Sequence, residues 1–302
     1  MQLEEARDTG RPEIPEEHRR LAALLYSTTH SVALYGSRIT PYTDGRSKME
    51  ALLAEIARAK HHIHIQYYIF CDDETGRRLR DALVEKVRQG VEVRILYDDV
   101  GCSGVKKDFF EGMRREGIEV FSFLHVKFPL FTSKVNYRNH RKIAVIDGRV
   151  GFIGGMNVAD RYVRGTGWGS WRDTHFRIEG SGAAGLQVSF LSDWSATTKQ
   201  HITGAAYFPQ SERHAENILQ IVPSGPFGQW RALLQADSYA VSNARRRIWI
   251  QTPYYLPSDV LNTALQVAAL AGVDVRLMLP ARSDSKIVDL ASHSYLDDMM
   301  KA

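Results

Sequence analysis

Hydrophobic and polar positions follow two different rhythms along the first part of the chain. Residues 48–60 set Met49, Leu52, Leu53 and Ile56 on one face of a 3.6-residue repeat, which predicts a helix. The next run, HHIHIQYYIF at 61–70, reads as a strand. Residues 74–89 return to the helical rhythm, and Gly90 closes them as a C-cap. A strand follows at 91–97, a helix at 109–116 ending at Gly117, and a strand at 119–123. Strands alternating with helices predict an α/β fold built on a mainly parallel, mixed sheet flanked by helices. Residues 139–157, NHRKIAVIDGRVGFIGGMN, read as two buried strands joined by a tight Asp-Gly turn.

The pattern then repeats. HHIHIQ at 61–66 is echoed by RRIWIQ at 246–251, an offset of 185 residues. GVEVRIL at 90–96 is echoed by GVDVRLM at 272–278, an offset of 182. FFEGMRRE at 109–116 is echoed more faintly by YLDDMMKA at 295–302. Nearly equal offsets across strand, strand and helix indicate a duplicated domain. The expected organisation is a polar segment at 1–20, a first domain at 21–196, a linker at 197–219 and an incomplete second copy at 220–302. At these offsets the counterpart of NHRKIAVID falls at roughly 310–330, beyond Ala302, so the second copy reads as clipped.

Bulk composition narrows the classes. The 302 residues suffice for about two domains, and 44% hydrophobic with 25% charged residues is ordinary globular composition. A net charge of +4 without long blocks of one sign suits anionic substrates or an anionic membrane surface. The two cysteines, Cys71 and Cys102, have no metal-ligand spacing, which excludes a disulfide scaffold and a zinc site. No apolar run reaches the roughly 18–20 residues of a spanning helix, and the charged N-terminal residues contain no signal-peptide core. A soluble or peripherally membrane-bound protein of a reducing compartment is expected.

The candidate chemistry sits at the mouth of the 139–157 hairpin. Residues i and i+2 of a strand share a face, so His140 and Lys142 project together, about 7 Å apart. Asp147 has the opposite parity and belongs outside that pair or in the turn with Gly148. Gly154 and Gly155 allow a sharp turn and a close backbone approach to a ligand, and Asn157 returns an amide to the rim. An ammonium, an amide and an imidazole on one rim make a phosphate site in which His140 attacks phosphorus or moves a proton.

The string H-x-K-x4-D followed by G-G-x-N resembles the signature of the phospholipase D superfamily. YYIFCDDETGRRLRDAL, GVEVRILYDDVG, WRDTHFRIEG and PSGPFGQWRALLQ resemble bacterial cardiolipin synthases, from about Leu21 to Ala302. The resemblance implies a phospholipase D-like fold and a motif trio His140, Lys142 and Asp147, with Asp147 structural. It implies that His140 is one of a histidine pair, nucleophile or general acid, working through a phosphatidyl-histidine. Lys142 and Asn157, with Gly155, would bind the phosphoryl group, and Asp173 of WRD would orient His140. It implies no metal and no cofactor. It implies an anionic phospholipid substrate, phosphatidylglycerol or a related lipid, and a peripheral place on the bacterial cytoplasmic membrane. A second H-x-K-x4-D half would come in cis, in trans or by dimerisation, and no nucleic acid is expected. The sequence departs from this pattern in carrying one H-x-K-x4-D; His293 in the second copy is followed two residues later by Tyr295. N-terminal membrane helices usual in the family are also missing.

Three readings of function remain open on the sequence: a phosphatidyltransferase joining two phosphatidylglycerols, a phosphodiesterase or nuclease of the same fold, and a non-catalytic phosphate- or membrane-binding fragment. The trimmed second copy favours the last for the chain alone. The absence of a long basic track with stacking aromatics disfavours a nuclease. Other features carry less. His62 and His64 share a strand face without a carboxylate or cysteine at ligand spacing. Arg245–Arg247 precede a strand, Tyr67, Tyr68, Tyr254 and Tyr255 end strands, and Trp168 and Trp171 occupy a glycine-rich loop suited to packing or to a bilayer interface.

Overall fold

The computed structural model describes residues 13–123, 138–167, 169–225, 228–281 and 286–302. In chain order the elements are α1 (Glu16–Thr29), β1 (Leu34–Tyr35), β2 (Arg38–Asp44), α2 (Gly45–Arg58), β3 (His62–Tyr67), α3 (Glu74–Arg88), β4 (Glu92–Asp98), α4 (Lys107–Arg115), β5 (Glu119–Phe123), β6 (Lys142–Ile146), β7 (Val150–Gly154), α5 (Asp160–Arg164), β8 (Arg172–Glu179), α6 (Ser181–Thr198), β9 (Ile218–Leu219), α7 (Ala232–Asn243), β10 (Arg247–Gln251), α8 (Asp259–Leu270), β11 (Asp274–Met278) and α9 (Lys286–Lys301). They fall into two compact units, one spanning 32–221 and the other combining 15–31 with 222–302.

The first unit is organised on a seven-stranded sheet of order β2-β8-β7-β6-β3-β4-β5. The sheet is mixed and flanked by helices, as the alternation predicts. Parallel pairing is confined to β3–β4–β5, and the pairings of β6, β7, β8 and β2 are antiparallel. The parallel share is therefore smaller than the first 123 residues suggest, because short connections after β6 return the chain without crossovers. Two helices start on side-chain caps: the Asp44 carboxylate accepts from Ser47 N at α2, and the Asp73 carboxylate from Gly76 N at α3. Ile63, Ile65, Ala144, Ile146 and Phe152 pack against Leu52 and Ile56 of α2 and Leu79 and Leu83 of α3. On the other face Ile143, Val145 and Ile178 meet Leu186 of α6. Cover on both faces leaves every residue of β3 buried.

Residues 197–219, expected as a linker, contain β9, which pairs antiparallel with β1 and belongs to the first unit. The polar start at 1–20 overlaps α1, which groups with the second unit.

In the second unit β10 and β11 pair parallel. Their register sets Arg247 opposite Asp274, and that of β3 and β4 sets His62 opposite Glu92. The two pairs differ by the offsets of 185 and 182 seen in the sequence. Ser258 caps α8 through Leu261 N at the position equivalent to Asp73, and Gly272 repeats the positive φ of Gly90. Burial differs between the copies. Along β10 and β11 half-buried and exposed residues alternate, so Ile248, Ile250, Val275 and Leu277 pack with Val241, Leu265 and Tyr255 while Trp249 and Met278 stay exposed.

Candidate active site

The ladder between β3 and β6 begins at Tyr67–Lys142, so His140 stands two residues ahead of the sheet. Its imidazole lies flat on Tyr68, with ring centroids 3.8 Å apart and planes 19° from parallel. The Lys142 Nζ is 5.3 Å from the Tyr68 ring centroid and donates to the carbonyl oxygen of His140. Imidazole, phenol and ammonium therefore share one corner, on the face of the sheet that α2 covers. Burial, and then the Lys142 charge, push the His140 pKa below the usual imidazole range, which favours the neutral ring. Burial lowers Lys142 to about 8, against the pull of Asp173 and Asp98.

Two carboxylates divide the electrostatic work. Asp98, at the end of β4, is buried and accepts from Val100 N, Gly101 N and Asn139 N. Its charge is the one felt at His140. The charge of Asp173 acts on Lys142, where sequence reasoning expected it at His140. Burial raises the Asp173 pKa, opposed by the Thr174 N–H and by Lys142.

The remaining expected site residues brace the corner from outside. Asp147 occupies the β6–β7 turn at φ 51°, followed by Gly148 at φ 64°. This is the mirror-type turn that an Asp-Gly pair favours. The Asp147 carboxylate accepts from Lys60 N at 2.8 Å, His61 N at 2.8 Å and His62 N at 3.0 Å, fastening the turn to the start of β3. Asn157 is buried; its Oδ1 accepts from Ile69 N at 3.0 Å and its Nδ2 donates to the Tyr162 hydroxyl at 2.7 Å. Gly155 gives its N–H to Thr174 O, and a Cβ there would lie 2.0 Å from Asp173 Oδ1. The Asp173 carboxylate thus lies where any larger residue at 155 would put its side chain.

A row of side chains crosses the sheet at this level. Tyr67 pairs with Lys142, and Gly154 pairs with His175, which pairs with Tyr42. Continuing the β6–β7 register by one residue sets Lys142 beside Gly154. The missing side chain leaves the space that His175 fills: a Cβ on Gly154 would be 2.7 Å from its Nδ1. His175 is fully buried with neither ring nitrogen hydrogen-bonded, and burial holds its pKa well below the imidazole range. Lys48 of α2 is 1% exposed, donates to the Tyr67 hydroxyl at 2.8 Å, and is lowered by burial to about 7. Spacing alone could not find Asp98, His175, Lys48 or Tyr68 as a group, because sheet register and the cover of α2 bring them together.

Other sequence features resolve into packing. His62 and His64 hydrogen-bond the two ends of the Gln187 amide on α6. No cluster of three metal-ligating side chains occurs among the described residues. Tyr67 is buried, Tyr255 is buried with its hydroxyl on Asn262, and Tyr254 is exposed. Trp171 packs on Tyr162, and Trp168 lies outside the described residues. Arg245, Arg246 and Arg247 are exposed at the start of β10, with Arg247 over the Trp249 ring. His293 lies on α9 with its Nδ1 on Asp289 O.

The family model described as cardiolipin synthase, PLD-like domain, matches residues 52–168 and 239–302. The chain belongs to this family. It is 39% identical to the major cardiolipin synthase ClsA of Bacillus subtilis over 289 residues, covering 95% of this chain and 60% of that protein. It is 39% identical over 294 residues to a cardiolipin synthase of Geobacillus kaustophilus, covering 96% and 58%. The chain thus spans about 60% of the length of these relatives. Among solved structures, phosphatidylserine synthase of Haemophilus influenzae superposes with a TM-score of 0.65 at 16% identity, covering 94% of this chain and 73% of that one. That likeness shows the phospholipase D-type fold. The two matched stretches carry the β3–β4 and β10–β11 pairs, and the first also holds the His140 corner. No helix among the described residues is long and apolar enough to cross a membrane.

Proposed function

We propose that this chain carries one catalytic half of a cardiolipin synthase-like phosphatidyltransferase, acting on phosphatidylglycerol or a related anionic phospholipid at a membrane surface. The observation that carries the reading is the His140 corner. An imidazole whose neutral form burial favours stands stacked on Tyr68, beside an ammonium on the same face. In this reading a His140 ring nitrogen attacks the phosphodiester phosphorus, and the bond from phosphorus to the first alcohol breaks. A second alcohol then displaces the imidazole. Lys142 holds the phosphoryl oxygens, and Asp173 keeps Lys142 charged. Asn157 and Asp147 act on the scaffold.

In-line displacement needs a nucleophile on one side of phosphorus and a proton donor for the departing alkoxide on the other. One imidazole cannot serve both sides in the same step. We therefore assign the donor to a second H-x-K-x4-D half, supplied in cis, in trans or by another copy. The second unit, whose pairing register repeats that of β3–β4, is in this reading the partial partner of the first. The test is cardiolipin formation in phosphatidylglycerol vesicles, with a fragment bearing a second H-x-K-x4-D motif added. His140→Ala and Lys142→Ala should each lower the rate at least about 100-fold. Product formation at an undiminished rate by His140→Ala would contradict the reading.

A further inference from the structure

We propose that Asp193, on α6 at the face of the sheet away from the corner, is the positioning residue that aims His140. The inference rests on the reading of His140 as nucleophile and adds what holds it in place. His140 precedes the first β3–β6 pair, so the sheet ladder does not fix its backbone. Its two neighbours do. The Asn139 Nδ2 donates to Asp193 Oδ2 at 2.9 Å, and the Arg141 guanidinium pairs with the same carboxylate. Gln66 of β3, next to the strand end, donates to Asp193 Oδ2 at 2.6 Å. The Asn139 N–H is held by Asp98 Oδ2 at 3.1 Å, and Asn139 Oδ1 accepts from Arg141 N at 3.1 Å.

With Asn139 and Arg141 held on Asp193 at the α6 side, His140 between them stacks on Tyr68 at the other side. Asp193 is carried by a rigid element: Leu186, Phe190 and Trp194 of α6 are fully buried. Asp193 holds the two neighbours of His140 rather than its imidazole, so it works through backbone geometry. The Lys142 backbone is held by the ladder itself, whatever happens at Asp193. Loss of Asp193 should misdirect the nucleophile and leave the anion site intact.

Bis(p-nitrophenyl) phosphate separates these effects, because its aryloxide leaves without a proton donor. As the His140 nitrogen–phosphorus bond forms, the phosphorus–oxygen bond breaks and p-nitrophenolate departs with the electron pair. The measurement is the burst of p-nitrophenolate from the full chain, alongside tungstate affinity, for wild type, Asp193→Ala and the isosteric Asp193→Asn. The expected result is a burst slowed about 100-fold in Asp193→Ala, the scale set by a misplacement of about 1 Å. Asp193→Asn should fall between, and serves if the alanine variant does not fold. Tungstate affinity should stay within about twofold of wild type, and the pH midpoint of the burst should not move. A wild-type burst in Asp193→Asn and in a folded Asp193→Ala overturns the assignment. So does a loss of tungstate affinity matching the loss of burst, which marks general damage. A wild-type chain that binds tungstate but gives no burst overturns the His140 reading itself, and the assignment with it.

Discussion

Lys142 carries its charge where burial disfavours it, at about 8, and the carboxylates of Asp173 and Asp98 keep it from falling further. Replacing Asp173 by the isosteric Asn removes one of these charges without disturbing the packing over Gly155. The folded-state pKa of Lys142 should then drop below about 8. At pH 8 the ammonium loses population, so tungstate affinity should weaken several-fold. At pH 6 Lys142 is protonated in both forms, and the difference should shrink. Calorimetric titrations at the two pH values check this; an equal loss at both would mean that Asp173 does not act through the charge of Lys142. Lys48 of α2, on the Tyr67 hydroxyl, and His175, two places along the row from Lys142, show why the neighbourhood is sensitive. Burial lowers all three basic groups, and the charges of Lys48 and Lys142 lower His175 further.

At the scale of elements, the β6–β7 hairpin is fastened at its turn and open at its mouth. Asp147 gives three hydrogen bonds' worth of acceptor to the start of β3, about five residues and roughly 17 Å along the strand from Lys142. Asp147→Asn retains a residue that tolerates the left-handed backbone, so it isolates the carboxylate. The variant should lose on the order of 1–3 kcal/mol of stability and bind tungstate as wild type does. Denaturant melts and titrations report the two quantities separately. This placement was legible in the sequence, because strand parity alone sets Asp147 apart from His140 and Lys142. The strands at 61–70, 91–97 and 119–123 were legible too, since their apolar runs are bounded by helical rhythm. The approach of Asp98 to the corner was not legible: it is far from His140 in sequence, yet β4 ends beside the hairpin mouth. Nor was α6, whose small and apolar residues surround the helix without a clean stripe. Its role on the opposite sheet face, and that of Asp193, follow from pairing.

For the whole molecule, the matching registers of β3–β4 and β10–β11 show one local architecture used twice in the chain. In the first unit helices cover both faces of β3. In the second, one face of β10–β11 is packed and the other presents Trp249 and Met278. Only the first use carries H-x-K-x4-D in this sequence. The central claim is that a covalent phosphoryl group is carried on His140. Incubation with phosphate-labelled phosphatidylglycerol and a fragment bearing a second H-x-K-x4-D motif, followed by a rapid alkaline quench and peptide mapping, tests it most directly. The account predicts an alkali-stable, acid-labile label on the peptide containing His140, absent from His140→Ala. A label of wild-type yield on the His140→Ala chain, or product formation with the label on another residue, would contradict it.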